Sequence, residues 1–442
     1  MMLQDQHTTQ KVSAGSDRLS PSAVRRVMVA SGVGTLIEYY DYALYGYVAT
    51  IIAPLFFPTQ DPVAALLSTL AVFALSYVVR PLGGIVFGWV GDRFGRRKAL
   101  LITIIGIGLA NTAVGLLPTY SLVGILAPIL LLIVRLAQGF FAGGEVGGAA
   151  TVISENAPAG KRARYGAFIP MGTNGGFAIA SAAVGIVAGL LSDEALSGWG
   201  WRIPFLIGLP LTIICYVVRR KLPDIDRDVK HSGKHAFPLV TALRSDPGAL
   251  LKAIGIGIAV QGAAYIGSTF IAIYLVANLH YPNRAVFWIT AGVTLFAVLL
   301  MPFTGRLADR IGVMKVALIG VIGYAVLTYP ALALMNLGNL AIATAAYALI
   351  MVNMAFLQVA SFTLTPRLFP DEVRYTGTAL ATNLSVLIAG GTAPLAAALL
   401  VNLTGDLRSP YYFVLAACVV GLTALLSLRG HAAMDQDKSA TD

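Results

Sequence analysis

Long apolar stretches separated by short polar connections run through almost the whole chain. A membrane-spanning helix needs about 20 consecutive, mostly apolar residues, and twelve stretches of this kind can be marked. In the first half they lie near residues 27–52, 65–88, 99–117, 122–154, 165–190 and 202–219; in the second half they lie near residues 250–278, 285–304, 315–335, 339–364, 376–402 and 410–428. The pattern predicts an all-α polytopic membrane protein with twelve transmembrane helices.

A short basic turn occurs once in each half of the chain. Residues 88–98 read Gly-Trp-Val-Gly-Asp-Arg-Phe-Gly-Arg-Arg-Lys, and residues 305–315 form a weaker copy. Each cation would cost at least ~2.5–3.5 kcal/mol inside the hydrocarbon, so both turns must lie at a membrane surface. The aspartates of the two turns, Asp92 and Asp309, are about half the chain apart. This spacing predicts two pseudo-symmetric six-helix bundles, each with a basic turn after its second helix.

Lysine and arginine are concentrated in alternate connections, and this bias predicts the orientation of the chain. Cytoplasmic loops are rich in these residues, so the basic turns and both termini are expected on the cytoplasmic side. The predicted domains are a cytoplasmic tail (1–22), an N-terminal six-helix bundle (23–219), a cytoplasmic interdomain linker (220–248), a C-terminal six-helix bundle (249–429) and a second cytoplasmic tail (430–442). The polar first 22 residues lack the apolar core of a signal peptide, so no cleaved segment is expected.

Composition excludes several classes of protein. Hydrophobic residues make up 57% of the chain and charged residues 12%, against roughly 25% charged residues in a soluble domain. The net charge of +10 follows from the basic loops, and no aromatic-basic motif suggests nucleic-acid binding. Because no phosphate-cradling loop, metal-ligand set or nucleophile signature occurs, we expect neither an enzyme nor an ATP-driven pump, and no cofactor or metal. Cys215 and Cys418 lie in spans of different halves and are interpreted as small buried hydrophobes.

Five ionisable residues lie inside predicted spans, all of them in the first half. They are Glu38 and Asp41 in the first span, Arg80 in the second, and Arg135 and Glu145 in the fourth. Charges inside a membrane are costly and mark ion or substrate pathways. Glu38 and Asp41, at positions i and i+3, share a helix face, where like charges favour proton uptake by one of them. Since all five histidines lie in tails or loops, a carboxylate must carry any transported proton.

Each of these charges has a functional and a structural interpretation. Asp41 either carries a proton or binds substrate, or else it is the buried partner of Arg80. Arg135 either holds a substrate carboxylate through its two-pronged guanidinium group or pairs permanently with an acid of the first helix. Glu38, Arg80 and Glu145 either contact the transported species or form a structural ion network.

Polar and aromatic residues inside the spans are candidates for lining a cavity between the bundles. Besides Arg135, the predicted substrate-binding residues are Tyr42, Gln138, Tyr265, Asn353 and Gln358. Tyr39, Tyr45, Trp288 and Asn383 are further candidates, although each of these residues fits ordinary helix packing as well.

Charged residues at the predicted cytoplasmic surface are expected to form a latch between helices. The latch candidates are Asp92, Arg93, Arg96, Glu155, Arg164 and Asp309. Because they lie at the surface, they are expected to regulate the conformational cycle without touching the substrate.

Several motifs resemble those of a known family. The pattern Gly-x-x-x-Asp-Arg-x-Gly-Arg-Arg of residues 88–97 resembles the signature loop between helices 2 and 3 of the major facilitator superfamily, and Arg135-x-x-Gln138-Gly139 is similar to its helix 4 motif. Residues 34–42 (Gly-Thr-Leu-Ile-Glu-Tyr-Tyr-Asp-Tyr), 143–149 (Gly-Gly-Glu-Val-Gly-Gly-Ala) and 199–205 (Trp-Gly-Trp-Arg-Ile-Pro-Phe) narrow the match. Together they resemble the metabolite:proton symporter family over nearly the whole chain.

The resemblance implies a proton-coupled symporter of the bacterial inner membrane. It would import a small polar metabolite by alternating access, such as an organic acid, a shikimate-like compound or a zwitterion of the proline and betaine type. Arg135 favours a substrate that carries a carboxylate. The expected partners are the substrate, protons and the lipid bilayer, with the protein as a monomer. A proton-driven exporter and a non-transporting membrane sensor with the same fold are the alternatives.

Overall fold

The computed structural model describes residues 21–144, 157–158, 160–220, 246–370 and 373–428, with the side chains of residues 21–31, 92, 96, 97, 219 and 375 left out of the description. Within these ranges the regular structure is helical, without β-strands. The long helices of the first half are α1 (Pro21–Phe56), α2 (Pro62–Val78 continued as Arg80–Phe94), α3 (Arg96–Leu116), α4 (Leu126–Gly143), α5 (Arg162–Gly166 continued as Phe168–Leu190) and α6 (Ile203–Arg220). Those of the second half are α7 (Pro247–Tyr265, Ile266–Phe270 and Ile271–Ala277), α8 (Asn283–Ile311), α9 (Val313–Met335), α10 (Leu340–Leu364 and Thr365–Leu368), α11 (Arg374–Ser385, Val386–Gly390 and Ala393–Thr404) and α12 (Pro410–Leu426).

The lengths of these helices match a membrane protein. Helices α2 to α11 are each long and apolar enough to cross a membrane. Helix α12 is apolar with 17 residues, and α1 runs for 36 residues. The prediction of twelve spans in two six-helix halves is confirmed. The predicted fourth span, 122–154, includes the end of a separate short helix, Tyr120–Val123, and α4 itself begins at Leu126. Residues 145–154 of that span lie outside the described residues.

The two basic turns have the same backbone shape, which supports the internal repeat. Gly95 links α2 to α3 with φ 99° and ψ 135°, and Gly312 links α8 to α9 with φ 100° and ψ 137°. A positive φ of this size is readily adopted by glycine and strains other residues. We call the membrane side that carries these two turns the basic side.

Helices α1 to α6 and α7 to α12 form separate bundles that meet through α5 and α8, α2 and α11, and α1 and α7. Along α5 and α8, the Ser181 hydroxyl donates to the Phe287 carbonyl at 2.7 Å. Near the side opposite the basic side, Ala49, Leu70 and Ile273 form a buried apolar contact between the halves. The bundles therefore touch both near the middle and at the side opposite the basic side.

Helix α7 is interrupted at its centre by one π-helical turn, Ile266–Phe270. Such turns leave backbone carbonyls without regular helical partners, and they are common at functional sites. Here tyrosine hydroxyls fill the gap: Tyr347 donates to the Gly267 carbonyl and Tyr47 to the Ser268 carbonyl, each at 2.7 Å. Because Tyr47 belongs to the first half, the turn is held partly from across the bundle interface.

Candidate substrate and coupling site

A buried ion pair lies near the interface of the two bundles. The Arg80 Nη2 atom is 3.9 Å from Glu38 Oε1, and the two side chains are 2% and 9% exposed. The Arg80 guanidinium carbon also lies 5.2 Å from the ring centre of Tyr42 and 5.4 Å from that of Tyr77. Its Nε and Nη1 atoms have no hydrogen-bond partner. The predicted ionic contact between Glu38 and Arg80 is present, and this guanidinium keeps two unused donor atoms.

Five aromatic side chains next to Arg80 form a closed ring of neighbours, which we call the aromatic box. Successive ring centres are 6.1 Å apart from Tyr39 to Tyr42, 6.0 Å from Tyr42 to Tyr77, 5.8 Å from Tyr77 to Tyr265, 6.0 Å from Tyr265 to Phe177, and 5.9 Å from Phe177 back to Tyr39. Tyr265 comes from the second half and the other four from the first. The Tyr77 and Tyr265 hydroxyls are hydrogen-bonded at 2.8 Å, so the box closes across the bundle interface.

Asp41 lies away from the box, towards α3 and α6. The Asn111 amide nitrogen donates to Asp41 Oδ1 at 2.9 Å. A cavity of about 10 Å³ between α1, α3 and α6 is lined by both Glu38 and Asp41. The two carboxylates therefore share this small cavity, but Glu38, rather than Asp41, contacts Arg80. Both interpretations of Asp41 stay predictions.

Arg135 of α4 is fully buried inside the first bundle. Its guanidinium carbon lies 4.2 Å from the Tyr45 ring centre and 5.3 Å from that of Phe73. Arg135 Nη1 donates to Gln138 Oε1, and Nη2 donates to Ser76 Oγ at 3.5 Å. In the described part of the chain, these contacts are with rings, an amide and a hydroxyl instead of a carboxylate. An acid of the first helix is therefore not among the contacts of Arg135 in this structure, and both interpretations of Arg135 stay predictions.

A second polar network joins the bundles through α5, α7 and α10. Asn174 Nδ2 of α5 donates to Gln358 Oε1 of α10 at 2.6 Å, and the Ser268 hydroxyl of α7 donates to Asn174 Oδ1 at 3.4 Å. Gln358 thus lies at the interface, where the sequence placed it. Asn353 lies apart, because its amide nitrogen donates to the Leu349 carbonyl of its own helix at 2.9 Å and its oxygen faces Gly323 of α9.

On the basic side, one acid of the repeated turns contacts the opposite bundle. Asp309 of α8 accepts hydrogen bonds from the backbone N–H groups of Ala163, at 2.8 Å, and Arg164, at 3.1 Å. These N–H groups belong to the first turn of α5, where helix donors lack intrahelical partners and the helix dipole favours a negative charge. Asp309 therefore tethers the second bundle to the first.

Of the remaining latch candidates, Arg93 has a described side chain. Arg93 is exposed, and its guanidinium carbon lies 5.4 Å from the Trp89 ring centre. The side chains of Asp92 and Arg96, together with Glu155 and the proposed proton carrier Glu145, lie outside the described residues. Their predicted roles stay predictions.

Comparison with known proteins identifies the family. Residues 32–282 and 253–442 match the sequence model described as Major Facilitator Superfamily. The chain belongs to the major facilitator superfamily. It is 35% identical over 419 residues to a proline/betaine transporter of Salmonella typhimurium, covering 92% of this chain and 83% of the relative. It is 34% identical over 419 residues to a glycine betaine/proline/ectoine/pipecolic acid transporter of Dickeya dadantii, with the same coverage. It is also 35% identical to an inner membrane metabolite transport protein of Escherichia coli, covering 92% of this chain and 94% of that protein.

Solved structures give the same fold. The proton:xylose symporter XylE bound to 6-bromo-6-deoxy-D-glucose aligns with a TM-score of 0.71 at 15% identity, covering 95% of this chain and 99% of that one. A bacterial homolog of the human lysosomal transporter Spinster aligns with a TM-score of 0.61 at 18% identity, with the same coverage. The chain is accordingly a membrane transporter of the major facilitator fold that acts on a small molecule, and it is not an enzyme.

Several residues of the site carried no distinctive signal in the sequence. Tyr77 and Phe177 lie in apolar spans, where aromatic residues are ordinary packing residues. Asn174 and Ser268 are single polar residues in long apolar helices. Only the packing of the helices brings Tyr77 next to Arg80 and Phe177 next to Tyr265, and brings Asn174 to Ser268 and Gln358. Asn174 and Ser268 could have been noted as polar residues inside apolar spans, but nothing in the sequence indicates that they contact each other.

The tether at Asp309 predicts an effect on the rate of conformational change. We expect Asp309→Asn to lower the turnover rate of substrate exchange several-fold with less than a twofold change in substrate affinity, because the variant loses the charge that stabilises α5 but leaves the site intact. Asp246→Asn is the matched control, since Asp246 accepts from Ala249 N at 2.8 Å at the start of α7, within its own bundle. If the exchange rate falls equally in both variants, the loss of a hydrogen-bonded acid at a helix start explains the effect, and the tether between the bundles is contradicted.

Proposed function

We propose that the protein is a proton-coupled symporter that imports a small zwitterionic or carboxylate-bearing metabolite across the bacterial inner membrane by alternating access. Two of the relatives named above are a proline/betaine transporter and a glycine betaine/proline/ectoine/pipecolic acid transporter. Proline and the betaines carry a carboxylate together with a cationic nitrogen. These compounds are therefore the first substrates to test.

The observation that carries the proposal is the position of Arg80. Its guanidinium contacts the Glu38 carboxylate on one side and retains unpartnered Nε and Nη1 atoms beside the aromatic box. A substrate carboxylate on one of these atoms leaves two carboxylates sharing one guanidinium in a low-dielectric region. Uncompensated buried charge is costly, and a proton on Glu38 removes the excess charge. Substrate binding and protonation therefore favour each other.

A route for the proton lies behind Glu38. The cavity shared by Glu38 and Asp41 has a volume of about 10 Å³, roughly what a single water molecule needs. A water there connects the two carboxylates, so Asp41 relays the proton and Glu38 couples it to the substrate. Glu145 remains a further proton-carrying candidate from its position in the sequence.

The remaining parts of the proposal concern the whole molecule. We propose that the basic side faces the cytoplasm, as do both termini, because the lysine and arginine residues of the connections are concentrated there. Tyr42, Tyr265 and Gln358 line the substrate path, and Arg135 and Gln138 support it from inside the first bundle. We expect a monomer, since each chain contains both halves of the site.

Uptake into proteoliposomes tests the proposal directly. Purified protein is reconstituted, and accumulation of labelled proline, glycine betaine and a panel of organic acids is measured with and without an imposed acid-outside gradient. We expect one class of zwitterion or acid to accumulate above equilibrium only with the gradient. Equilibration without accumulation would contradict proton coupling. A lowered cellular content in expressing cells would indicate an exporter.

A further inference from the structure

We propose that the aromatic box binds a methylated, quaternary ammonium group while Arg80 binds the carboxylate of the same substrate. This inference rests on the proposed transport function and assigns a specificity role to residues of the site. It makes the protein selective for betaine-type substrates over zwitterions whose nitrogen carries N–H groups.

The geometry of the aromatic box fits a compact cation without hydrogen-bond donors. Five ring centres form a closed cycle in which neighbours are 5.8 to 6.1 Å apart. The middle of a flat cycle of five side chains with this spacing lies roughly 5 Å from each aromatic ring centre, which is inside the ~6 Å reach of cation–π attraction. Quaternary ammonium groups are typical ligands of aromatic cages, since they cannot donate hydrogen bonds and lose little on leaving water.

The box also offers few acceptors for an N–H group. The Tyr77 and Tyr265 hydroxyls bond to each other at 2.8 Å. Tyr42 contributes a buried hydroxyl without a partner, Tyr39 contributes one further hydroxyl, and Phe177 contributes none. An N–H donor moved from water into this ring of carbon faces loses more hydrogen bonds than it regains. Methyl groups avoid that loss.

Arg80 supplies the second anchor at the correct place. Its guanidinium carbon lies within 5.4 Å of the centres of two neighbouring box members, Tyr42 and Tyr77. Its two unpartnered donor atoms, Nε and Nη1, lie on different edges of the guanidinium, and a substrate carboxylate accepts a charge-assisted hydrogen bond from one of them while Nη2 faces Glu38. A substrate with one or two carbons between carboxylate and nitrogen therefore reaches both anchors.

The box opens when the two bundles separate. Only Tyr265 comes from the second bundle, so a separation of the halves removes one wall and breaks its hydrogen bond to Tyr77. Closure around the substrate restores the wall. The same five side chains therefore give the bound substrate an enclosed site in the closed arrangement and an exit in an opened one.

Binding to the purified full-length protein tests the inference with matched probes. Glycine betaine is compared with tert-butylacetate, in which carbon replaces the charged nitrogen at nearly the same shape, and with proline, whose nitrogen carries N–H groups. We expect glycine betaine to bind about tenfold or more tightly than either probe. tert-Butylacetate lacks the cation–π attraction, and the N–H groups of proline lose hydrogen bonds with water on entering the box. Choline, which lacks the carboxylate, should bind weakly.

One variant of each anchor separates the two contributions. Tyr42→Leu removes one ring of the box and should weaken glycine betaine binding about tenfold. Arg80→Lys should weaken glycine betaine several-fold without changing choline binding. Tyr411→Leu, a tyrosine of α12 that packs against Tyr329 outside the box, serves as the matched control and should change neither ligand.

The outcomes separate this inference from the transport proposal. Equal affinity for glycine betaine and tert-butylacetate in the unsubstituted protein overturns the box assignment, whatever the variants do. Proton-driven accumulation of proline together with absent glycine betaine binding also overturns it, while the transport function stands. If no member of the uptake panel accumulates, the transport proposal fails first.

Discussion

Glu38→Gln is expected to abolish substrate accumulation driven by a proton gradient while leaving substrate exchange across the membrane intact. For a neutral zwitterion moved with one proton, a gradient of one pH unit supports at most about tenfold accumulation. Glutamine has nearly the same shape as glutamate but cannot carry a transported proton, and it leaves Arg80 free to bind the substrate. The accumulation ratio in proteoliposomes should therefore fall from about ten to about one, with counterflow exchange within a few-fold of the unsubstituted protein.

Asp41→Asn is the informative comparison for this prediction. If Asp41 relays the proton to Glu38, its replacement should slow uptake several-fold without changing the final accumulation ratio. Asp406→Asn is the control: this acid lies in the loop between α11 and α12, where the backbone and side-chain N–H groups of Arg408 hold the pKa of its carboxyl below the usual range. Full accumulation in Glu38→Gln with none in Asp41→Asn would assign coupling to Asp41.

Arg135→Ala is expected to destabilise the protein by about 3 kcal/mol or more. The guanidinium stacks on Tyr45 and Phe73 and bonds to Gln138. Its removal leaves a cavity and unpaired polar groups, which together cost roughly 2–5 kcal/mol in a buried site. Thermal unfolding of detergent-purified protein should show a lower midpoint, and transport should fall with the folded fraction. Arg408→Ala, at an exposed arginine, should leave the midpoint unchanged.

The same variant tests whether Arg135 is held by an acid. If its partners are rings and the Gln138 amide, adding Asp41→Asn to Arg135→Ala should not restore stability. Recovery of the unfolding midpoint in the double variant would mean that Asp41 and Arg135 pair in some state of the cycle. Arg135→Lys is expected to be intermediate, because a lysine keeps the charge but loses the flat face that stacks on Tyr45.

Much of the fold could be predicted from the sequence because the membrane imposes strong rules. A helix that crosses hydrocarbon must be long and apolar, and its charged neighbours must stay at the surface. These rules act locally along the chain, so twelve spans and two related halves could be found from apolar length and repeated basic turns. The start of the fourth span was placed a few residues early, because the short helix Tyr120–Val123 before α4 is also apolar and gives no polar start signal.

The candidate site could be predicted only in part. Because a buried charge is costly, Glu38, Asp41, Arg80 and Arg135 could be recognised as candidate site residues without knowing how the helices pack. Which charge meets which partner depends on how each helix is rotated and where it crosses its neighbours. Glu38 and Asp41 are only three residues apart on α1, yet Glu38 contacts Arg80 and Asp41 accepts a hydrogen bond from Asn111.

Sequence alone determined that this chain spans a membrane twelve times as two related halves and keeps its buried charges in the first half. Those properties follow from hydrophobicity and charge, which each residue carries by itself. Tertiary structure alone decided that Tyr77, Phe177 and Tyr265 complete a box beside Arg80, that Asn174 meets Gln358 across the interface, and that Asp309 caps α5. Such contacts join residues far apart in the chain, and their geometry depends on the simultaneous packing of several helices, which no single segment encodes.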